Sequence, residues 1–185
     1  MNSNTQDNIH SKNVIEVITI ANELCIFLEE IEKYEKQYIC LYLQKILPLL
    51  YLKGALLPDV EISSDEANER FVTQEQWENI YNALKKKLGK DDSFLFIDYV
   101  TKLDDETEKG SIAEFMADIY QDLKDFLLLF QKNTQSAREN AIYSCKVLFE
   151  ENWGIKLINI HKAIHLLLYG KRKKSSQLFT GFSAN

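Results

Sequence analysis

Glycine and proline are scarce in this chain, six and two in 185 residues. A β-sandwich or barrel needs turn residues roughly every ten positions, so the shortage excludes most all-β architectures. Cys25, Cys40 and Cys145 are odd in number, far apart and outside any CxxC spacing. That argues against a disulfide framework or a zinc knuckle, and for reduced thiols in a cytoplasmic protein. No window reaches about eighteen uninterrupted apolar residues, and the opening MNSNTQDNIHSKN is polar, so neither a membrane span nor a signal peptide is expected. The glycine-rich phosphate loops and the G-x-S-x-G nucleophile elbow are missing too. Nothing in the sequence indicates a cofactor.

Positive charge is in deficit. Lysine and arginine total 22 against 28 acids, for a net charge of −6. Nucleic-acid phosphates are held by basic faces that displace counterions, so broad binding of that kind is disfavoured. The exception is the run Lys171, Arg172, Lys173 and Lys174. It follows a helix end, where cations offset the carbonyl dipole, and with Phe179 and Phe182 beyond it, it is the one place for an RNA or acidic-partner arm.

What the chain has in plenty is helical periodicity. A hydrophobic fraction of 45% and a charged fraction of 27% suit one soluble domain of this length. From about Ser11 to Lys33, Val14, Val17, Ala21, Leu24, Cys25 and Leu28 share one face, with Glu16, Glu23 and Glu30 opposite. The stretch EKQYICLYLQKILPLLYLKG is apolar nearly all round; it reads as a central helix kinked near Gln44 by Pro48 and stopped by Gly54. Residues 55–72 carry no long element, although Ser63 and Glu66 would cap a short turn. Thr73 and Gln76 form a capping box for a helix ended by Gly89, Ser111 and Glu114 one for a helix over 111–132, and Ser136 and Glu139 one for a helix over 136–152. A last helix runs from Gly154 to Gly170. SFLFIDYV reads as an extended or partly helical packed connector, too irregular for a half-exposed strand. The expected fold is therefore all-α, a single-domain bundle of five to six helices over residues 13–170, with a disordered N-terminus (1–12) and a basic flexible tail (171–185).

The most informative stretch is AEFMADIYQDLKDFLLLF. On a helical wheel Glu114, Asp118, Asp122 and Asp125 fall within an arc of about 80°, opposite Phe115, Met116, Ile119, Tyr120, Leu123 and Phe126. An amphipathic helix needs a wet side, and the acids supply it. The rival is a divalent-metal-dependent nucleotide or phosphoester hydrolase, with Asp118 and Asp122 as ligands joined by Glu29, Glu30 or Glu32. The acidic pairs of helical nucleotide pyrophosphohydrolases are not reproduced: Lys33 interrupts one spacing, and Glu114 to Asp118 is a step of four. Leu128 and Leu129 lie beside the acids, so another segment or a partner covers that end. DDETEKGS fails as a calcium loop, with Lys109 and Phe115 at the glycine and glutamate positions. HKAIH places His161 and His165 on one face, but Lys162 stands where a zinc protease has its glutamate and no third ligand is in reach of the motif. Cys25 sits mid-face, as an inert core thiol does.

ANELCIFLE, LLPDV, ADIYQDLKDFL and FEENWGIKLINIHKAIHLL together resemble a bacterial family of all-helical proteins defined only as a domain of unknown function. The likeness covers most of residues 14–168. It implies a helical domain in a bacterial cytoplasm and supplies no catalytic residues, but it directs attention to Asp118, Tyr120, Asp122, Trp153, Gly154 and His161. The leading expectation is a protein-interaction module or accessory subunit with an unknown protein partner or a homodimer, because Ile15, Ile26, Leu128, Leu129 and Leu166 are apolar off the core stripes.

Overall fold

The computed structural model describes residues 8–64, 69–97 and 107–170. Of the expected disordered N-terminus (1–12), residues 1–7 lie outside them, as do the basic tail from Lys171 onward and Glu66, while residues 8–12 lie within them, with Ile9 buried. The described chain is mostly helical, with one small sheet. Helix α1 spans Lys12–Glu29, and the Ser11 hydroxyl caps it by accepting from the Val14 N–H. A 3₁₀ turn at Ile31–Lys33 leads to α2, Lys36–Gly54. Helix α3, Gln74–Leu88, opens with the full Thr73–Gln76 capping box and ends at Gly89, whose φ of 58° is left-handed and suits glycine.

The sheet corrects the reading of SFLFIDYV and the purely helical expectation. Strand β1, Ser93–Ile97, pairs antiparallel with β2, Thr107–Ser111, with Ser93 opposite Ser111 and Ile97 opposite Thr107. Phe94 and Phe96 share one face and meet Phe115 edge-on at 5.6 and 5.5 Å. Leu95 points outward at 66% exposure, so the period of two was present but masked by an apolar residue on the wet side. A Cβ at Gly110 would stand 2.8 Å from the Phe94 ring, which is why the register places glycine there.

Helix α4, Ile112–Gln131, starts at Ser111, whose hydroxyl accepts from the Glu114 N–H at 3.1 Å. Asp92 fastens this start, accepting from the Ser111 hydroxyl and the Ala113 N–H, each at 2.7 Å. Helix α5, Gln135–Leu148, is capped by Thr134 and not by the predicted Ser136–Glu139 box, which leaves the Glu139 carboxylate available for other donors. A π turn, Phe149–Trp153, carries α5 without a break into α6, Gly154–Tyr169.

The central helix is α4, not α2. Helix α4 packs against α1, α3, α5 and α6 and is buried nearly all round. Helix α2 lies on α1 and α6 and leaves Tyr38, Leu41, Leu49 and Leu52 exposed. Its apolar circumference predicts enclosure, whereas one side of it faces outward. Helices α2 and α6 run antiparallel: Gln44 bonds to the Tyr169 hydroxyl at 2.9 Å, while ten residues on, Gly54 lies against Trp153. Gly54 does not end α2 through a left-handed turn, since among the described glycines only Gly89 has positive φ. A Cβ at Gly54 would fall 2.4 Å from Trp153 Cη2, so glycine is required for close packing.

Candidate functional site

Two places gather the residues singled out by the sequence: the acidic face of α4, and a groove between α2 and α6. The acidic face is not a wet side. Asp122 and Asp125 are buried at 8% and 4% exposure, while Glu114, at the helix start, is exposed. Each buried or half-buried acid meets donors from other elements. Asp118 accepts from Trp77 Nε1 of α3 at 2.9 Å and from Lys156 Nζ of α6 at 2.7 Å. Asp122 accepts from Asn152 Nδ2 of the π turn at 2.8 Å and from the Arg70 guanidinium at 3.3 Å. Asp125 accepts from Arg70 at 3.2 Å and from the backbone N–H groups of Phe71 and Val72 at 2.7 and 2.9 Å. Spaced at steps of four and three, the three acids hold α3, the segment before it, the π turn and α6 to the central helix.

This arrangement limits the chemistry. Burial raises the Asp122 carboxyl above the ordinary aspartate range, with the Asn152 and Arg70 hydrogen bonds opposing it. Asp118 and Asp122 face different donors instead of one shared cation, and no group of three His, Cys, Asp or Glu side chains fit to hold a metal occurs among the described residues. The glutamates named as their helpers are engaged separately. Glu29 accepts from the Tyr120 hydroxyl at 2.9 Å and Lys124 at 2.7 Å, Glu30 pairs with Lys33, and Glu32 lies 4.0 Å from Lys86. Tyr120 is thus a buried tie between α4 and α1; burial first, then its bond to Glu29, raises its phenol. Trp153 is fully buried, donating to the Cys145 carbonyl at 3.1 Å. Burial raises the Cys25 thiol to about 12, as expected of an inert core cysteine.

Arg70 is the residue sequence reasoning missed. It is one of three arginines in the chain and stands in an acid-rich run, which was the available signal. Glu139 is the other. Buried at 2% exposure, its carboxylate accepts from the Ser63 N–H at 3.0 Å and from Gln135 at 2.7 Å, while Asn140 donates to the Ser64 carbonyl at 2.6 Å. Burial works against the Glu139 charge, but the Ser63 and Gln135 bonds prevail and hold its carboxyl below the ordinary value of 4.5. The unfolded chain therefore takes up this proton more readily than the folded one. The contribution is complete above the ordinary value and is lost as pH falls through the folded one. The raised Asp122 has the opposite sign, losing stability as pH rises above its ordinary value. Glu139→Gln is expected to lower stability by about 1–3 kcal/mol at neutral pH, as loss of a buried acceptor does. In urea titrations the gap from wild type should narrow on acidification; a gap constant with pH would show that the charge is not what holds the loop.

The second place is an open groove lined by Leu47, Pro48 and Tyr51 of α2 and Leu157, Ile158 and His161 of α6. His161 is half-buried at its wall, while His165, one turn on, is exposed and packs on Tyr169 with ring centroids 4.9 Å apart. The groove is continuous with two outward stripes. On α2, Tyr38, Leu41, Lys45, Pro48, Leu49 and Leu52 are exposed at helical spacing; on α6, Ile155, Ile158, Lys162, His165, Leu166 and Tyr169 repeat that spacing. Pro48 and Ile158 belong to both stripe and groove, so the stripes meet in one face.

A family model described as Domain of unknown function (DUF5063) matches residues 8–170. The crystal structure of protein BF1032 from Bacteroides fragilis superimposes with a TM-score of 0.78 at 37% identity, covering 88% of this chain and 96% of that one. No curated protein matches. Both findings agree with the resemblance to a bacterial helical family of unknown function. No helix among the described residues is long and apolar enough to cross a membrane.

Proposed function

Because the chain belongs to the DUF5063 family, which carries no assigned activity to inherit, its own surface must supply the reading, and we propose a protein-interaction module or accessory subunit that docks a partner on the α2–α6 face. The observation that carries this is the clustering of exposed apolar side chains on two adjacent helices around an apolar groove. Scattered apolar residues are ordinary on a protein surface, but a contiguous set marks a docking site. Of the apolar residues off the core stripes, Leu166 lies in this face. Ile15 and Ile26 are exposed elsewhere, on α1, and Leu129 is buried beneath the segment at Glu69 and Arg70. We read Pro48 as bending α2 near Gln44, since its ring and missing N–H disturb the turn that opens the groove. We count five or six helices among the described residues, according to whether α5 and α6 are taken as one across the π turn. Three free, buried cysteines support a cytoplasmic setting.

The test is affinity capture from a cell lysate with wild type, the α2–α6 variant Leu52→Ser/Ile158→Ser, and the α1 control Ile15→Ser/Ile26→Ser. All four positions are exposed, so each variant should unfold within about 1 kcal/mol of wild type. The expected result is a captured protein lost only with the α2–α6 variant. The same captured set for all three chains would end the reading.

A further inference from the structure

Resting on that docking face, the chemistry of its occupant follows from charge. Helices α2 and α6 together contain no aspartate or glutamate, in a chain with 28 acids and a net charge of −6. Their cations are Lys36, Lys45, Lys53, Lys156 and Lys162, besides His161 and His165. Three of these lysines are neutralised inward: Lys36 by Asp91, Lys53 by Glu16 and Lys156 by Asp118. Lys45 and Lys162 are exposed, and no ion pair among the described residues engages them. They stand within the two apolar stripes, seven residues beyond Tyr38 and Ile155 respectively. The nearest acids in sequence, Glu35 and Glu151, lie just outside the two helices.

A second copy fits this face poorly. A two-fold contact brings the same patch of each subunit together, so the lysines and histidines of one copy would meet only cations or neutral groups of the other. An amphipathic helix seated between two antiparallel helices places apolar residues at three- and four-residue spacing in the groove and its flanks over the rims. Here those rims carry Lys45 and Lys162. We propose that the α2–α6 face receives an acidic amphipathic helix of another protein, its apolar side in the groove of Pro48, Tyr51, Ile158 and His161 and its carboxylates on Lys45 and Lys162.

The test is selection of binding peptides on the folded full-length chain from a random library of helix-length segments. Enriched peptides should carry apolar residues at helical spacing with an excess of Asp and Glu. Their affinity should fall at least tenfold for Lys45→Glu/Lys162→Glu and weaken with added salt. Enriched peptides that are neutral or basic, or that bind the charge-reversal variant unchanged, overturn the proposal. If such peptides are nevertheless lost with Leu52→Ser/Ile158→Ser, the docking face survives and only its charge preference fails. Two further measurements decide between occupants. Cosedimentation with phosphatidylcholine vesicles containing phosphatidylglycerol, abolished by the charge reversal in the absence of peptide binding, would assign the face to anionic lipid and overturn a protein helix. A concentration-dependent dimer, broken by Leu52→Ser/Ile158→Ser in sedimentation, would assign it to a second copy and overturn it likewise.

Discussion

Asp125→Ala is expected to destabilise the chain by about 2–4 kcal/mol, since each buried backbone donor left without its acceptor costs about 1–3 kcal/mol. Asp125 is nearly inaccessible and receives three donors: the Arg70 guanidinium and the N–H groups of Phe71 and Val72. Alanine would leave the Val72 N–H buried without an acceptor and remove the closer of the two Arg70 contacts. Asp125→Asn keeps one carbonyl oxygen for a backbone donor, so it should cost distinctly less. Chemical denaturation of the three chains checks this, and an alanine cost below about 1 kcal/mol would mean that the acids do not fasten the segment before α3. Arg70 is itself half exposed, so its ion pairs with Asp122 and Asp125 are screened by solvent. The backbone donors carry most of the expected loss.

Trp153→Ala should cost about 3–5 kcal/mol by cavity formation in the core, and lower the thermal midpoint by roughly 10 °C for a domain of this length. Trp153 has no exposed surface, stacks edge-on against Phe149 at 4.7 Å, and fills the space that the missing side chain of Gly54 leaves. Trp153→Phe retains much of the volume and gives up the bond to the Cys145 carbonyl, so about half that loss is expected. Calorimetric scans of the two variants separate packing from hydrogen bonding. A small effect of alanine would show that α2 and the π turn repack without the indole.

The helices were legible because their cores are built from local repeats: the face of Val14, Val17, Ala21, Leu24 and Leu28 can be read without knowing what covers it. The cap of α1 at Ser11 and the box at Thr73 and Gln76 are equally local. The acid stripe of α4 was misread because its meaning lies with distant residues. Arg70 is 52 positions from Asp122, Lys156 is 38 from Asp118, and Trp77 is 41 from Asp118. Periodicity places four carboxylates on one side of a helix, but it carries no information about whether water or a guanidinium waits there. The same limit explains α2. Its apolar circumference is a property of the segment, whereas exposure of one side depends on where α6 ends up.

The wide turn at Phe149–Trp153 bears on how the α2–α6 face stays aimed outward. A π turn accommodates one residue more than an α turn, and each residue of regular helix advances side chains by about 100°. Wound as uninterrupted α-helix, residues 135 to 169 would carry the second half of that rod out of phase with the first. Ile158 and Lys162 would then be swung away from where they now stand. The widened loop of backbone works as a clutch between two helical gears: it slips by a single tooth, so that α5 keeps its grip on the central helix while α6 turns Ile155, Ile158 and Lys162 to the outside.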